Sequence, residues 1–163
     1  MSDLLSNGNR AIFAEYLVGT ALQAIERPRI EWDGYDLLYR GKRIEVKASG
    51  YLQSWQQARP STIRFDIAPK FAWDALTNTY AASGVRAADC YVFCLYAELD
   101  QGGVDVLDVE AWRFYPVLTT TLDTQYGAQK SIGLAGLNRL CQPLPFGELK
   151  KQIDALLCIE GYQ

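Results

Sequence analysis

Asp36, Glu45 and Lys47 lie in the stretch YDLLYRGKRIEVKAS, residues 35–49. Two carboxylates, with an ammonium two residues beyond the second, are a set suited to metal-assisted hydrolysis. Carboxylates are hard oxygen ligands of the kind Mg²⁺ takes, while the ion keeps several of its waters. An ammonium beside them can hold a metal-bound water or offset charge on a phosphate. The chain has no histidine. Imidazole catalysis and histidine-containing zinc sites are therefore excluded.

The stretch reads as a β-hairpin. Arg40-Gly41 suits a two-residue turn, because glycine accepts the left-handed backbone such a turn requires. That register sets Tyr39 against Lys42, Leu37 against Ile44 and Asp36 against Glu45. Alternation then puts Leu37, Tyr39, Ile44, Val46 and Ala48 on one apolar face, and Asp36, Arg43, Glu45 and Lys47 on the other. Opposed like charges, roughly 5 Å apart at Cβ, destabilise a hairpin. A divalent cation between the two acids removes that cost. The same alternation also fits a solvated face on which Arg43 and Lys47 neutralise the acids.

The rest of the chain supplies the frame. Its 163 residues suit one domain spanning 1–163, with enough chain for a core. Sixteen basic and nineteen acidic residues leave a net charge of −3, so bulk electrostatic attraction to nucleic acid is not advertised. A local basic groove or metal-bridged phosphate binding is compatible with that charge. No apolar run reaches the length of a membrane span. The start MSDLLSNGNR lacks the features of a signal peptide, so a cytoplasmic location is the expectation. Cys90, Cys94, Cys141 and Cys158 show no metal-binding spacing, and the first two read as buried thiols in an apolar run.

Periodicity predicts a helix over about 8–26, capped by Asn7 or Asn9 and ended by Pro28. Its buried stripe is Ala11, Ala14, Val18, Leu22 and Ile25. Strands are expected at about 29–32, 35–40, 42–48 and 61–68, the last from the alternation of Ile63, Phe65 and Ile67. Residues 71–88 are ambiguous, with a short helix or turn near 71–76 as one reading. DCYVFCLYA reads as a central buried strand, and WRFYPVLT as a strand that Pro116 places near an edge. QKSIGLAGLNRL carries no clear pattern. The tail is helical, with Phe146, Leu149, Ile153 and Leu156 inward and Gly161 past its end. The order implies an α/β layered domain with a mixed central sheet flanked by helices.

An acid at the end of one strand, a turn, then Glu-x-Lys on the next resembles the PD-(D/E)XK nuclease superfamily. Here Asp36 is followed by Glu45-Val46-Lys47, and Tyr35 stands where the family name has proline. The resemblance implies a restriction-endonuclease-like three-layer core. It implies Mg²⁺-dependent phosphodiester hydrolysis, with Mn²⁺ able to substitute. DNA is favoured over RNA as the nucleic-acid partner, a homodimer is compatible, and no membrane is involved. Asp36, Glu45 and the carbonyl of Val46 would hold the cation, with Glu15 on the first helix completing the site. Lys47 would position the attacking water. Ser49, Gln53, Gln57 and Arg43 are candidates for nucleic-acid contact. Tyr51 and Trp55 could stack on a base, and Arg59, Arg64, Lys70, Lys130 and Arg139 could follow phosphates. The alternative within the same fold is a catalytically inactive module that binds nucleic acid or a protein.

Overall fold

A computed structural model describes residues 4–25, 34–71, 73–74, 79–80 and 82–159. Its first element is helix α1, Asn7–Leu22. Asn7 is already helical, so the expected asparagine caps are not used; Ser6 occupies the N-cap position. The helix stops at Gln23, which adopts a left-handed backbone (φ 56°) and sends its N–H to Gly19 and Thr20. The chain folds back so closely that a Cβ on Gly19 would sit 2.7 Å from the Ile25 side chain. Ala14, Val18 and Leu22 are buried as expected, whereas Ala11 is half-buried and Ile25 lies past the helix end, exposed. Arg10 and Leu17 join the buried stripe.

The hairpin forms with the expected turn. Strands β1 (Leu37–Tyr39) and β2 (Lys42–Gly50) pair antiparallel, with Leu37 opposite Ile44 and Tyr39 opposite Lys42. Arg40 and Gly41 both have positive φ, 47° and 76°, as a type I′ turn requires. Strands β3 (Arg64–Asp66), β4 (Trp73–Asp74) and β5 (Thr79–Tyr80) follow. Ile63, Phe65 and Ile67 are all buried, although only 64–66 form ladder bonds. In the ambiguous 71–88 region, Trp73–Asp74 is strand and not helix. The expected strand at 29–32 and Gly161 both lie outside the described residues.

Strand β6 (Cys90–Tyr96) is buried throughout and lies centrally, parallel to β2 and antiparallel to β7 (Trp112–Leu118). The sheet order is β1-β2-β6-β7, so it is mixed. Pro116 falls within β7, an edge strand of this sheet, where its missing N–H is tolerated. Helix α2 (Thr119–Tyr126), strand β8 (Ser131–Gly133), helix α3 (Leu134–Leu140) and helix α4 (Phe146–Leu156) complete the chain. β8 pairs with β3 in a second small sheet.

Alternation along the central strands splits the core in two. Ile44, Val46, Cys90, Val92, Cys94, Tyr96, Trp112 and Phe114 face α1 and α4. Tyr91, Phe93, Leu95, Tyr115 and Val117 face the β3–β8 layer with α2 and α3. The result is α/β, with the mixed sheet between helices on one side and a small sheet with short helices on the other. Leu149 and Ile153 of α4 are buried as expected; Leu157 is more deeply buried than the expected Leu156. Cys90 and Cys94 are free and buried. Among the described residues no helix is long and apolar enough to cross a membrane.

Candidate active site

β2 carries the centre of the candidate site. Its even-numbered residues Ile44 and Val46 enter the helix-side core, so Glu45, Lys47 and Ser49 project from the opposite face. In the parallel register Glu45 lies beside Tyr91, Lys47 beside Phe93 and Ser49 beside Leu95. Glu45 is thereby buried, with 5% of its side chain exposed. A carboxylate that deep needs compensating charge. Lys47 supplies it locally, with Nζ 2.6 Å from Oε1. Lys70 supplies it from the segment after β3, with Nζ 3.1 Å from the same oxygen. Burial pushes the neighbouring Tyr91 hydroxyl up to about 12, and the negative charge of Glu45 adds to that shift.

Asp36 takes a different position from the one the hairpin register implies. The ladder runs only to Leu37, and the Asp36 N–H also donates to the Ile44 carbonyl, at 3.0 Å. Two residues of one strand thus oppose one of the other, as in a bulge. Asp36 is therefore not the direct cross-strand partner of Glu45. Its Oδ2 instead accepts the Val46 N–H at 2.7 Å, replacing a strand partner where β1 ends. A strand residue directs its N–H and C=O to the same edge, so the Val46 carbonyl shares the edge that Asp36 caps.

Glu15 is half-buried on α1. Burial raises the Cys94 thiol well above its usual value, and the charges of Asp36 and Glu15 raise it further. Cys94 belongs to the helix-side core, the face of the sheet opposite the one from which Glu45 projects.

Among the described residues, no three acidic or cysteine side chains are gathered as a metal cage. Mg²⁺ does not require one, since it commonly takes one or two carboxylates and keeps its waters. Asp36, Glu45 and the Val46 carbonyl are hard oxygen donors on one strand and its edge, and their chemistry fits that ion. In the geometry described here, Glu45 Oε1 is occupied by two ammonium groups.

The candidate nucleic-acid contacts divide. Ser49 is half-buried on the face of Glu45 and Lys47. Gln53 and Gln57 pin the loop after β2. Gln57 accepts the Gln53 N–H at 2.7 Å and donates to the Tyr51 carbonyl and the Ser61 hydroxyl. Gln53 donates to the Gly50 carbonyl. Arg43 grips Asp89, donating its main-chain N–H at 2.7 Å and its guanidinium at 3.2 and 3.3 Å. These three side chains hold the protein's own backbone or acid. Trp55 is exposed and Tyr51 half-buried, while Arg59, Arg64, Lys70, Lys130 and Arg139 are all exposed.

Two residues gain a structural role from the fold. Arg10 is buried and donates to the Leu52 carbonyl at 2.8 Å and to Gln53 at 3.2 Å, clamping the same loop. Its spacing from Ala14 and Val18 puts it on the helix stripe, a signal present in the sequence. Lys70 is among the residues expected to follow phosphates, but its pairing with Glu45 has no local signal, because that partner lies in β2.

The bacteriophage T4 endonuclease IV family model matches residues 1–109. The chain belongs to the bacteriophage T4 endonuclease IV family. The matched span contains Glu15, Asp36, Glu45, Lys47 and Lys70, and it ends before β7. No curated protein matches the chain. Endonuclease IV membership establishes a nuclease family for the chain, while leaving the roles of its individual residues to chemistry.

Proposed function

We propose that this chain is a Mg²⁺-dependent DNA endonuclease of the PD-(D/E)XK type. The observation that carries the reading is the Glu45–Lys47 contact at 2.6 Å, on a strand whose next edge N–H is capped by Asp36. Membership of an endonuclease family supports it independently.

In this reading Asp36, Glu45 and the Val46 carbonyl would hold Mg²⁺, and Glu15 would support them from α1. The bound ion would supply Lewis acidity and a more acidic water. Lys47 holds the attacking water by its ammonium and orients it toward phosphorus. The water oxygen forms a bond to phosphorus as the P–O bond to the leaving sugar oxygen breaks. The proton lost by the water is balanced by one gained at that oxygen. Glu45 fixes the Lys47 ammonium, and burial against Tyr91 limits its freedom. Ser49, on the same face, lines the approach to the phosphate. Homodimerisation belongs to this proposal and is read by sedimentation.

The double pairing of Glu45 favours a second reading, an inactive module in which lysines replace the cation for good. One experiment separates the two. Supercoiled plasmid, single-stranded DNA and RNA are incubated with Mg²⁺, Mn²⁺ or EDTA. The nuclease reading expects metal-dependent cleavage of DNA that EDTA stops. An absence of cleavage in every metal, together with calorimetry that detects no metal binding at millimolar concentration, would leave the inactive module.

A further inference from the structure

Lys47, Glu45 and Lys70 form a triad of two cations on one anion, so it carries a net positive charge. Its members differ in access. The Glu45 side chain is 5% exposed, that of Lys47 21% and that of Lys70 60%. An approaching anion meets Lys70 first. Its backbone is a firm base: Lys70 N–H donates to the Val85 carbonyl and Val85 N–H donates back, both at 2.9 Å. The flexible part is the four-carbon stem, which lets an ammonium change partner without moving the chain. At 3.1 Å from Glu45, any anion taken up by Lys70 is held directly beside the Glu45–Lys47 pair.

We propose that Lys70 is a substrate-binding residue of this site, its ammonium passing from Glu45 Oε1 to a non-bridging oxygen of a DNA phosphate. The assignment rests on the nuclease reading of the same site. In the free protein Lys70 neutralises Glu45. With DNA bound it anchors the backbone there, while Lys47, two residues along the same strand, stays at the buried carboxylate. Glu45 then competes with DNA for this lysine, and removing the carboxylate charge frees Lys70 for phosphate.

The test measures anisotropy of a labelled duplex oligonucleotide in EDTA, from about 50 to 200 mM salt, for the wild type, Glu45→Gln and the double variant Glu45→Gln/Lys70→Gln. Each phosphate contact contributes about 0.9 to the slope of log affinity against log salt. Glu45→Gln is expected to bind more tightly and with a steeper slope than wild type. Adding Lys70→Gln is expected to lower that slope by about 0.9. Thermal melting verifies that all three are folded, and Lys70→Arg in the Glu45→Gln background should keep the slope. Equal slopes for Glu45→Gln with and without Lys70→Gln would overturn the assignment. Plasmid nicking with Mg²⁺ reads the underlying proposal separately. Nicking by wild type that Glu45→Gln abolishes, combined with equal slopes, removes Lys70 alone. Full nicking by Glu45→Gln, or a wild type that neither binds nor nicks DNA, removes the reading on which the assignment depends.

Discussion

The ammonium of Lys47 lies 2.6 Å from Oε1 of Glu45, two residues away on the same strand. The two side chains share a face because strand side chains alternate. Tyr91 and Phe93 lie beside them in the central strand, and only 5% of the Glu45 side chain stays exposed. A second lysine from a distant segment reaches the same oxygen. One buried acid thus organises two cations, and several consequences can be measured.

Lys47→Ala is expected to cut metal-dependent plasmid nicking by about 100-fold or more, the order expected when a group that positions the reacting water is lost. Lys70 still balances Glu45 in that variant, so it should remain folded. Melting curves check the fold, and undiminished nicking would rule out a catalytic role for Lys47.

Asp36 holds the main chain as well as offering a metal ligand. Asp36→Ala leaves the Val46 N–H without its carboxylate and should cost about 1–3 kcal/mol by denaturant titration. Asp36→Asn keeps an oxygen in place and should cost less. Both are expected to lose cleavage, so activity and stability separate between the two variants. Equal stability for both would contradict the capping role.

The Arg43–Asp89 clamp has a pH signature. Hydrogen bonding from the Arg43 side chain holds the Asp89 carboxyl below its ordinary 3.8, against the opposing effect of burial. A depressed carboxylate contributes stability above the unfolded-state value, and this is lost as pH falls through the folded-state value. The melting temperature of wild type should therefore exceed that of Asp89→Asn at pH 6. The gap should start to narrow below about pH 3.8 and close as pH falls past the lower folded-state value. A gap unchanged down to pH 2.5 would dismiss the clamp as a stabilising contact.

Gly50 ends β2 under the guanidinium of Arg10. An added Cβ would lie 3.1 Å from Arg10 Nη1 and 3.3 Å from Tyr96 Cβ. Gly50→Ala should cost about 1–3 kcal/mol through this overpacking. Displacing Arg10 also loosens its bonds to Leu52 and Gln53. Amide hydrogen exchange in the 51–61 loop should accelerate, and unchanged exchange would show that Arg10 does not hold the loop.

Local rules carried much of this protein from sequence to structure. Arg40-Gly41 determined a turn and, through it, the pairing of Leu37 with Ile44 and of Tyr39 with Lys42, since a two-residue loop admits one register. The continuous apolar run at Cys90–Tyr96 marked the central strand, because a strand covered on both faces needs no polar side. Glu45 and Lys47 were bound to share a face by alternation alone. Tertiary structure decided the rest. Asp36 leaves the ladder through a bulge at the hairpin's open end, where the turn no longer dictates position. Gln53 and Gln57 look like free polar residues until Arg10 and Ser61 are brought to them by folding. Lys70 reaches Glu45 only because β3 and the segment after it pack across the face of β2. The Arg10–Gln53 and Lys70–Glu45 contacts join residues 43 and 25 positions apart. The hydrophobic packing of layers settles them, and no short stretch of sequence encodes that packing by itself.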